Sequence, residues 1–159
     1  MDRVTGGLPP FDAFLDANGP TVYRFLRVAV GPTDADDVYQ ETFLSALRGY
    51  PKVREGDKLD RWILAIASRK AIDHHRSAGR RPIPTDDLPD TAVDDEPQPV
   101  DDALWKAVRA LPAKQRVAVV HRHVLDRSYD DIAALMGCSL DAARANVYQG
   151  MKRLRELVG

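Results

Sequence analysis

The sequence predicts an all-α protein of two small helical domains joined by an acidic, proline-rich linker. Three observations carry this. Apolar residues on both sides of the middle segment recur at three- to four-residue spacing, and no stretch shows the period-two alternation of a half-buried strand. Residues 82–102 hold five prolines, eight acidic side chains and no basic one. Beyond them, cap signals frame a short helix, a glycine turn and a longer helix. The boundaries follow as 8–81, 82–102 and 103–159.

In the first block, Phe11, Phe14 and Leu15, then Val22, Phe25, Leu26 and Ala29, keep helical spacing. Asn18-Gly19-Pro20 is expected to interrupt or kink this helix, and Val30-Gly31-Pro32 to stop it. Thr33 reads as the N-cap of a second helix, with Asp34, Asp36 and Asp37 in a first turn where the helix dipole favours anions. Its apolar stripe is Tyr39, Phe43, Ala46, Leu47 and Tyr50, and Gly49-Tyr50-Pro51 ends it. A third helix is expected over about Asp57–Ala78, with Leu59, Ile63, Ile66 and Ala67 inward.

The linker's few apolar residues have no period, so burial cannot offset its ordering entropy. If fully extended it would reach about 65 Å. In the last block, Leu104, Val108 and Leu111 mark a helix, and Pro112 opens the next, with Val117, Val120 and Val124 inward. Ser128 and Asp131 make a capping-box signal for a helix over Tyr129–Met136, with Ile132, Ala133 and Met136 inward. Gly137 suits the left-handed C′ position. Ser139 then caps a helix burying Leu140, Ala143, Val147, Leu154 and Val158. A short helix, a tight glycine turn and a longer helix is a helix-turn-helix, whose second helix enters the DNA major groove. An αα-hairpin without DNA function would share the pattern. Gly150 lies inside that second helix, at a cost of roughly 1 kcal/mol relative to Ala.

The 159 residues carry 23 basic and 24 acidic side chains, a net charge of −1 that, taken as a total, argues against a nucleic-acid partner. Charge is not evenly spread. Residues 1–60 hold a net −3, residues 61–81 a net +5, residues 82–102 a net −8 and residues 103–159 a net +5. The single cysteine, Cys138, excludes an internal disulfide framework or a Cys-rich zinc site and is expected to be a buried small apolar residue. No apolar run approaches the roughly 20 residues that span a bilayer, and Met1–Pro10 lacks a secretory signal's apolar region. A cytoplasmic protein is expected.

Asp37, Gln40, Glu41, Leu44 and Arg48 share the face of the second helix opposite its apolar stripe. By pattern alone this is most simply a solvated face. Asp34, Asp37 and Glu41 have no His or Cys nearby to favour a metal. Arg69, Asp73, Arg76 and Arg80 form a stripe on the third helix, open to solvation or to phosphate contact. The adjacent His74 and His75 point about 100° apart and cannot easily share an ion. Trp62 reads as a core aromatic.

Taken together, Asp34–Leu44, Trp62–Ala67 and Ala71–Arg76 resemble region 2 of bacterial sigma factors. Leu111-Pro112, Ser128–Ala133 and Met136–Ser139 resemble region 4. With only these two regions, the chain resembles the extracytoplasmic-function (group IV) sigma family over about residues 10–81 and 103–158. That resemblance implies an alternative sigma factor, not an enzyme, with no cofactor and no small-molecule substrate. It implies that Asp34, Asp37, Gln40, Glu41, Leu44 and Arg48 dock on the clamp coiled coil of core RNA polymerase. Arg61, Trp62, Arg69, Lys70, Asp73, His74, Arg76, Arg80 and Arg81 would bind and melt the −10 element. Ser139, Asp141, Arg144, Ala145, Asn146, Tyr148, Lys152 and Arg153 would read the −35 element. An anti-sigma factor would be a further partner.

Arg69 stands where the family often has Asn, and Asn146 and Met151 stand where it is often basic. These departures leave two other readings: a sigma mimic that sequesters an anti-sigma factor, or a stand-alone helix-turn-helix repressor. The repressor reading gives the Asp37-Gln40-Glu41 face nothing to do.

Overall fold

The computed structural model describes residues 8–54, 58–80 and 102–158, without the side chains of residues 75–80 and 102. Among the described residues it is all-helical: α1 Phe11–Ala29, α2 Ala35–Gly49, α3 Leu59–Arg80, α4 Asp102–Arg109, α5 Ala113–His123, α6 Tyr129–Met136 and α7 Leu140–Val158. A 3₁₀ turn, Tyr50–Lys52, follows α2. The expected linker, apart from Asp102, lies outside the described residues.

Helix α1 runs unbroken through Asn18-Gly19-Pro20, against the expected kink. Proline at position 20 leaves only the carbonyl of Asp16, an exposed residue, without its i+4 donor. Gly19 is needed for packing: a Cβ there would lie 2.6 Å from the Tyr39 hydroxyl. Helix α2 begins one residue later than the Thr33 cap implied, with Asp34 at the N-cap and no side-chain cap bond. The Asp34 carboxylate is engaged elsewhere, 3.0 Å from His74 Nε2.

Helices α1, α2 and α3 close around aromatic rings. Phe14 meets Tyr50, Phe43 and Trp62 at centroid distances of 5.1, 6.2 and 5.8 Å. Leu47 was expected in this stripe but is 51% exposed. In α3, Ile63 and Ala67 are buried as expected, while Leu59 and Ile66 are only half-buried.

The C-terminal helices follow their cap signals. Ser128 Oγ accepts from Asp131 N at 3.0 Å, and Gly137 takes φ 66°. Leu135, rather than Ala133 or Met136, joins Ile132 in the interior. Ser139 Oγ caps α7 by accepting from Ala142 N at 3.0 Å. Ala143, Val147 and Leu154 are buried, while Leu140 is half-buried and Val158 exposed. Cys138, expected buried, is half-buried beside Ala118, Ile132, Ala143 and Val147. Gly150 is where α7 crosses α5: a Cβ there would lie 2.6 Å from Val119 Cγ2 and 3.3 Å from the Gln115 carbonyl oxygen.

The two sets of helices share one core, which runs from Phe25, Leu26, Ala29 and Val30 into Val108, Leu111, Val117 and Val120. Two buried polar groups join them. His121 stacks on Phe25 at 4.6 Å and 5°, with its Nε2 2.7 Å from Ser68 Oγ. The Ser68 hydroxyl donates to the Leu64 carbonyl at 2.7 Å, so it has only a lone pair for His121. The imidazole therefore carries its proton on Nε2. Burial, with Arg127 nearby, pushes the His121 pKa down to about 3. Arg116, also buried, donates to the carbonyls of Ala29 (2.7 Å) and Arg109. Burial and the neighbouring Arg109 lower its pKa to about 10, so it stays charged at neutral pH.

Two predictions follow from this packing. Gly150→Ala should destabilise the chain by roughly 1–2 kcal/mol despite alanine's better helix propensity, because the clash is with a stiff β-branched side chain and backbone; urea unfolding measures it. His121 resists protonation in the fold while the unfolded chain takes a proton below pH ~6.5, so its contribution is complete above that pH and falls as the medium acidifies toward pH 3. The stability advantage of wild type over His121→Gln should therefore be about 2 kcal/mol smaller at pH 5 than at pH 7.5.

Candidate polymerase and promoter interfaces

Three surfaces carry the sequence candidates. On α2, Asp37, Gln40, Glu41, Leu44 and Arg48 are all exposed, and at about 100° per residue they fall within one face. Leu44 is 53% exposed among acidic neighbours, with the exposed Leu47 beside it. An apolar centre ringed by charge is the anatomy of a protein-docking surface. Asp34 departs from the group, because its carboxylate binds His74 of α3.

On α3, Trp62, Arg69, Lys70 and Asp73 line one cleft of about 370 Å³ with Ser45, Gly49 and Ile66. Trp62 serves two purposes: it packs in the aromatic core and walls this cleft. The structure separates two expected members from the cleft. Arg61 Nη2 lies 2.8 Å from Asp131 of α6, and His74 is taken by Asp34. The side chains of Arg76 and Arg80, and all of Arg81, lie outside the described residues.

On α7, Asp141, Arg144, Ala145, Tyr148 and Lys152 are exposed and share one side of the helix by the same spacing. Tyr148 is 63% exposed. Arg153, also exposed, lies about 120° around the helix from that side, on its flank. Asn146 donates its side-chain amide to the Ala142 carbonyl at 3.1 Å, and Ser139 is occupied as the cap. Sequence reading missed Arg122 and Tyr129 beside this face. The Arg122 guanidinium stands 4.3 Å over the Tyr129 ring and that of Arg144 5.7 Å from it. They come from α5, α6 and α7, so no periodicity within one helix reveals them. Among the described residues, no three His, Cys, Asp or Glu side chains gather to hold a metal ion.

The Sigma-70 region 2 family matches residues 14–81, and the Sigma-70 region 4 family matches residues 101–154. CarQ, an RNA polymerase sigma factor of Myxococcus xanthus, is 34% identical over 100% of this chain and 95% of its own length. The chain belongs to the extracytoplasmic-function sigma factors. A second relative of this family, SigD of Mycobacterium tuberculosis, is 30% identical over 98% of this chain and 80% of its own. The sigma factor RpoE of Bartonella quintana, solved in complex with the anti-sigma factor NepR, shares the fold with a TM-score of 0.74. It is 23% identical, covering 93% of this chain and 96% of that one. The protein is thus an alternative sigma factor: it binds core RNA polymerase and directs promoter-specific initiation. Sigma factors are not enzymes; bond-making belongs to the polymerase. Among the described residues no helix is long and apolar enough to cross a membrane.

Ser139 is placed as the N-cap of α7. Ser139→Asp, which keeps a capping oxygen, should retain stability, whereas Ser139→Ala should lose about 1 kcal/mol in thermal or urea unfolding.

Proposed function

We propose that the three surfaces divide the work of initiation. The α2 face of Asp37, Gln40, Glu41, Leu44 and Arg48 docks on the polymerase clamp coiled coil, its acids meeting a basic partner and its leucines burying apolar area. The carrying observation is that Leu44 and Leu47 stand exposed in the middle of an acidic face. The α3 cleft of Trp62, Arg69, Lys70 and Asp73 engages the opened −10 strand, with cations on the backbone and a recess for an unstacked base. Arg61, Arg76, Arg80 and Arg81, the other basic candidates of this segment, contact phosphates of the same strand. The α7 face of Asp141, Arg144, Ala145, Tyr148 and Lys152 reads the −35 duplex, while Arg122 and Arg153 meet phosphates.

The two helix sets act as domains tethered by residues 82–102, which converts two weak contacts into one tight engagement by effective concentration. The −8 charge of that tether stands in for nucleic acid in the polymerase's basic channels. An anti-sigma factor covers these faces when the regulon is silent, and the work is done in the cytoplasm. Arg69 favours phosphate contact over the amide readout of an Asn at that place.

Glu41→Lys should abolish binding to core polymerase while circular dichroism and melting stay as in wild type; retained affinity removes the clamp face. Arg69→Ala with Lys70→Ala should slow promoter opening by holoenzyme at least tenfold in a permanganate footprint while core affinity is unchanged. Tyr148→Ala should alter −35 selection in transcription from a genomic pool more than Asn146→Ala, whose amide is already spent within α7. DNA binding that needs no polymerase would favour the repressor reading.

A further inference from the structure

The cations beside the −35 face gather on one ring. Tyr129, the first residue of α6, is half-buried. From α5 the Arg122 guanidinium stands 4.3 Å over its centroid, and from α7 that of Arg144 lies 5.7 Å away. Arg122 is fixed a second way, because its Nη1 donates to the Arg127 carbonyl at 3.1 Å. That carbonyl belongs to the α5–α6 turn, where Asp126 takes a left-handed φ of 59°. The ring is fixed by the cap of its own helix, Ser128 Oγ accepting from Asp131 N at 3.0 Å.

Arg144 and Tyr148 are one turn apart on the exposed side of α7. The Arg144 guanidinium lies toward α6 and its ring, while Tyr148 stays 63% exposed. Among the described residues neither Arg122 nor Arg144 pairs with a carboxylate. Two cations side by side repel, and an anion seated against both removes that cost. A guanidinium that lies over a ring spends its face there and keeps its in-plane N–H fork, which matches the oxygens of a phosphate. Reading a guanine takes the same fork pointed into the groove. Held against a second helix, the Arg144 fork is offered to the sugar-phosphate backbone instead.

We propose that Tyr129 is a positioning residue for the −35 contact: its ring holds Arg122 and Arg144 as one grip on backbone phosphate, and base selection on α7 passes to Tyr148. An exposed aromatic ring suits that second task, since it packs on a thymine methyl in the major groove. This division of labour rests on the reading that α7 enters the −35 duplex. Within that face it moves Arg144 from the bases to the backbone.

Holoenzyme formed with the full chain is used to select duplex promoters from a genomic DNA pool. Its affinity for the best of them is then followed from about 50 to 200 mM salt. Arg122→Ala and Arg144→Ala should each weaken binding about tenfold and lower the slope of log affinity against log salt by about 1, with the ranking of selected promoters unchanged. Tyr129→Leu, which removes the ring, should do the same to affinity and slope. Tyr129→Phe, which keeps the ring and drops the hydroxyl, should match wild type in both. Tyr148→Ala should reorder the selected promoters and leave the slope alone. Circular dichroism and melting check that each variant keeps its helices.

Arg144→Ala that relaxes the preference at one −35 base pair without moving the slope makes Arg144 a reader of bases and overturns the proposal. A wild-type slope in Tyr129→Leu overturns it too, even with weaker binding, because a ring that merely props α6 changes stability and not the number of phosphates held. Tyr129→Phe as weak as Tyr129→Leu assigns the effect to the hydroxyl and overturns the ring grip. The −35 reading fails separately: it falls if Arg144→Ala with Tyr148→Ala selects the same promoters with wild-type affinity.

Discussion

Arg116 is the group on which the arrangement of the rest depends. A helix ends with carbonyls that have no intrahelical donor, and one buried without a partner costs on the order of 1–3 kcal/mol. At the end of α1 that carbonyl is Ala29's, and the donor comes from α5, 87 residues further along the chain. The same guanidinium reaches back to the Arg109 carbonyl, where α4 turns toward α5. One planar fork of donors therefore satisfies the ends of α1 and α4 at once. Among the described residues its bonded partners are carbonyls, and the negative ends of two helices favour a cation there. Removing it would take a donor from carbonyls on both sides of the junction, so the two helix sets are coupled through it.

That coupling gives the fold its functional tension. A sigma factor that touches two promoter elements must present two DNA faces at a distance set by the promoter, whereas this chain buries a shared core between its two halves. The α1–α4–α5 part of the junction is apolar and capped by Arg116. The α3–α6 part mixes apolar and polar residues, with a cleft left in it and a charge pair, Arg61–Asp131, across it. Those two characters are energetically unequal. Exposed or half-exposed ion pairs are worth little net, because water competes for them. They choose the register of the contact more than they hold it shut.

Much of the helical architecture was legible in the residues. Helix α6 was readable to the residue because Ser128 and Gly137 each have a local reason to be where they are: a hydroxyl that accepts from an N-terminal amide, and a backbone that turns left-handed. The acidic α2 face was readable from helical spacing alone, whereas the α7 candidates came from the family resemblance, and Ser139, Asn146 and Arg153 leave that face. Failures occurred where a local signal was overruled from a distance. Gly19-Pro20 looks like a break, but Gly19 is the space that Tyr39 needs, and a proline in a long packed helix costs only one carbonyl partner at an exposed position. Leu47 fits an apolar stripe, yet α2 turns it outward beside Leu44 to form an exposed apolar centre. Gly150 reads as a propensity cost and proves to be the crossing point of α5 and α7.

By itself the sequence determined that the chain is all-α, where the caps of α6 and the N-cap of α7 lie, that its basic charge is divided between two helical blocks, and that it resembles the sigma family. These are local or compositional properties, decided by residues within a few positions of one another. Only the tertiary structure decided which candidates share a site. It grouped Trp62 with Arg69, Lys70 and Asp73, drew Arg61 to Asp131 and Asp34 to His74, and set Arg122 and Tyr129 beside Arg144. It also placed His121 beneath Ser68, 53 residues away in the chain. Such pairings are decided by how helices cross, and no period within a single helix encodes a partner on another.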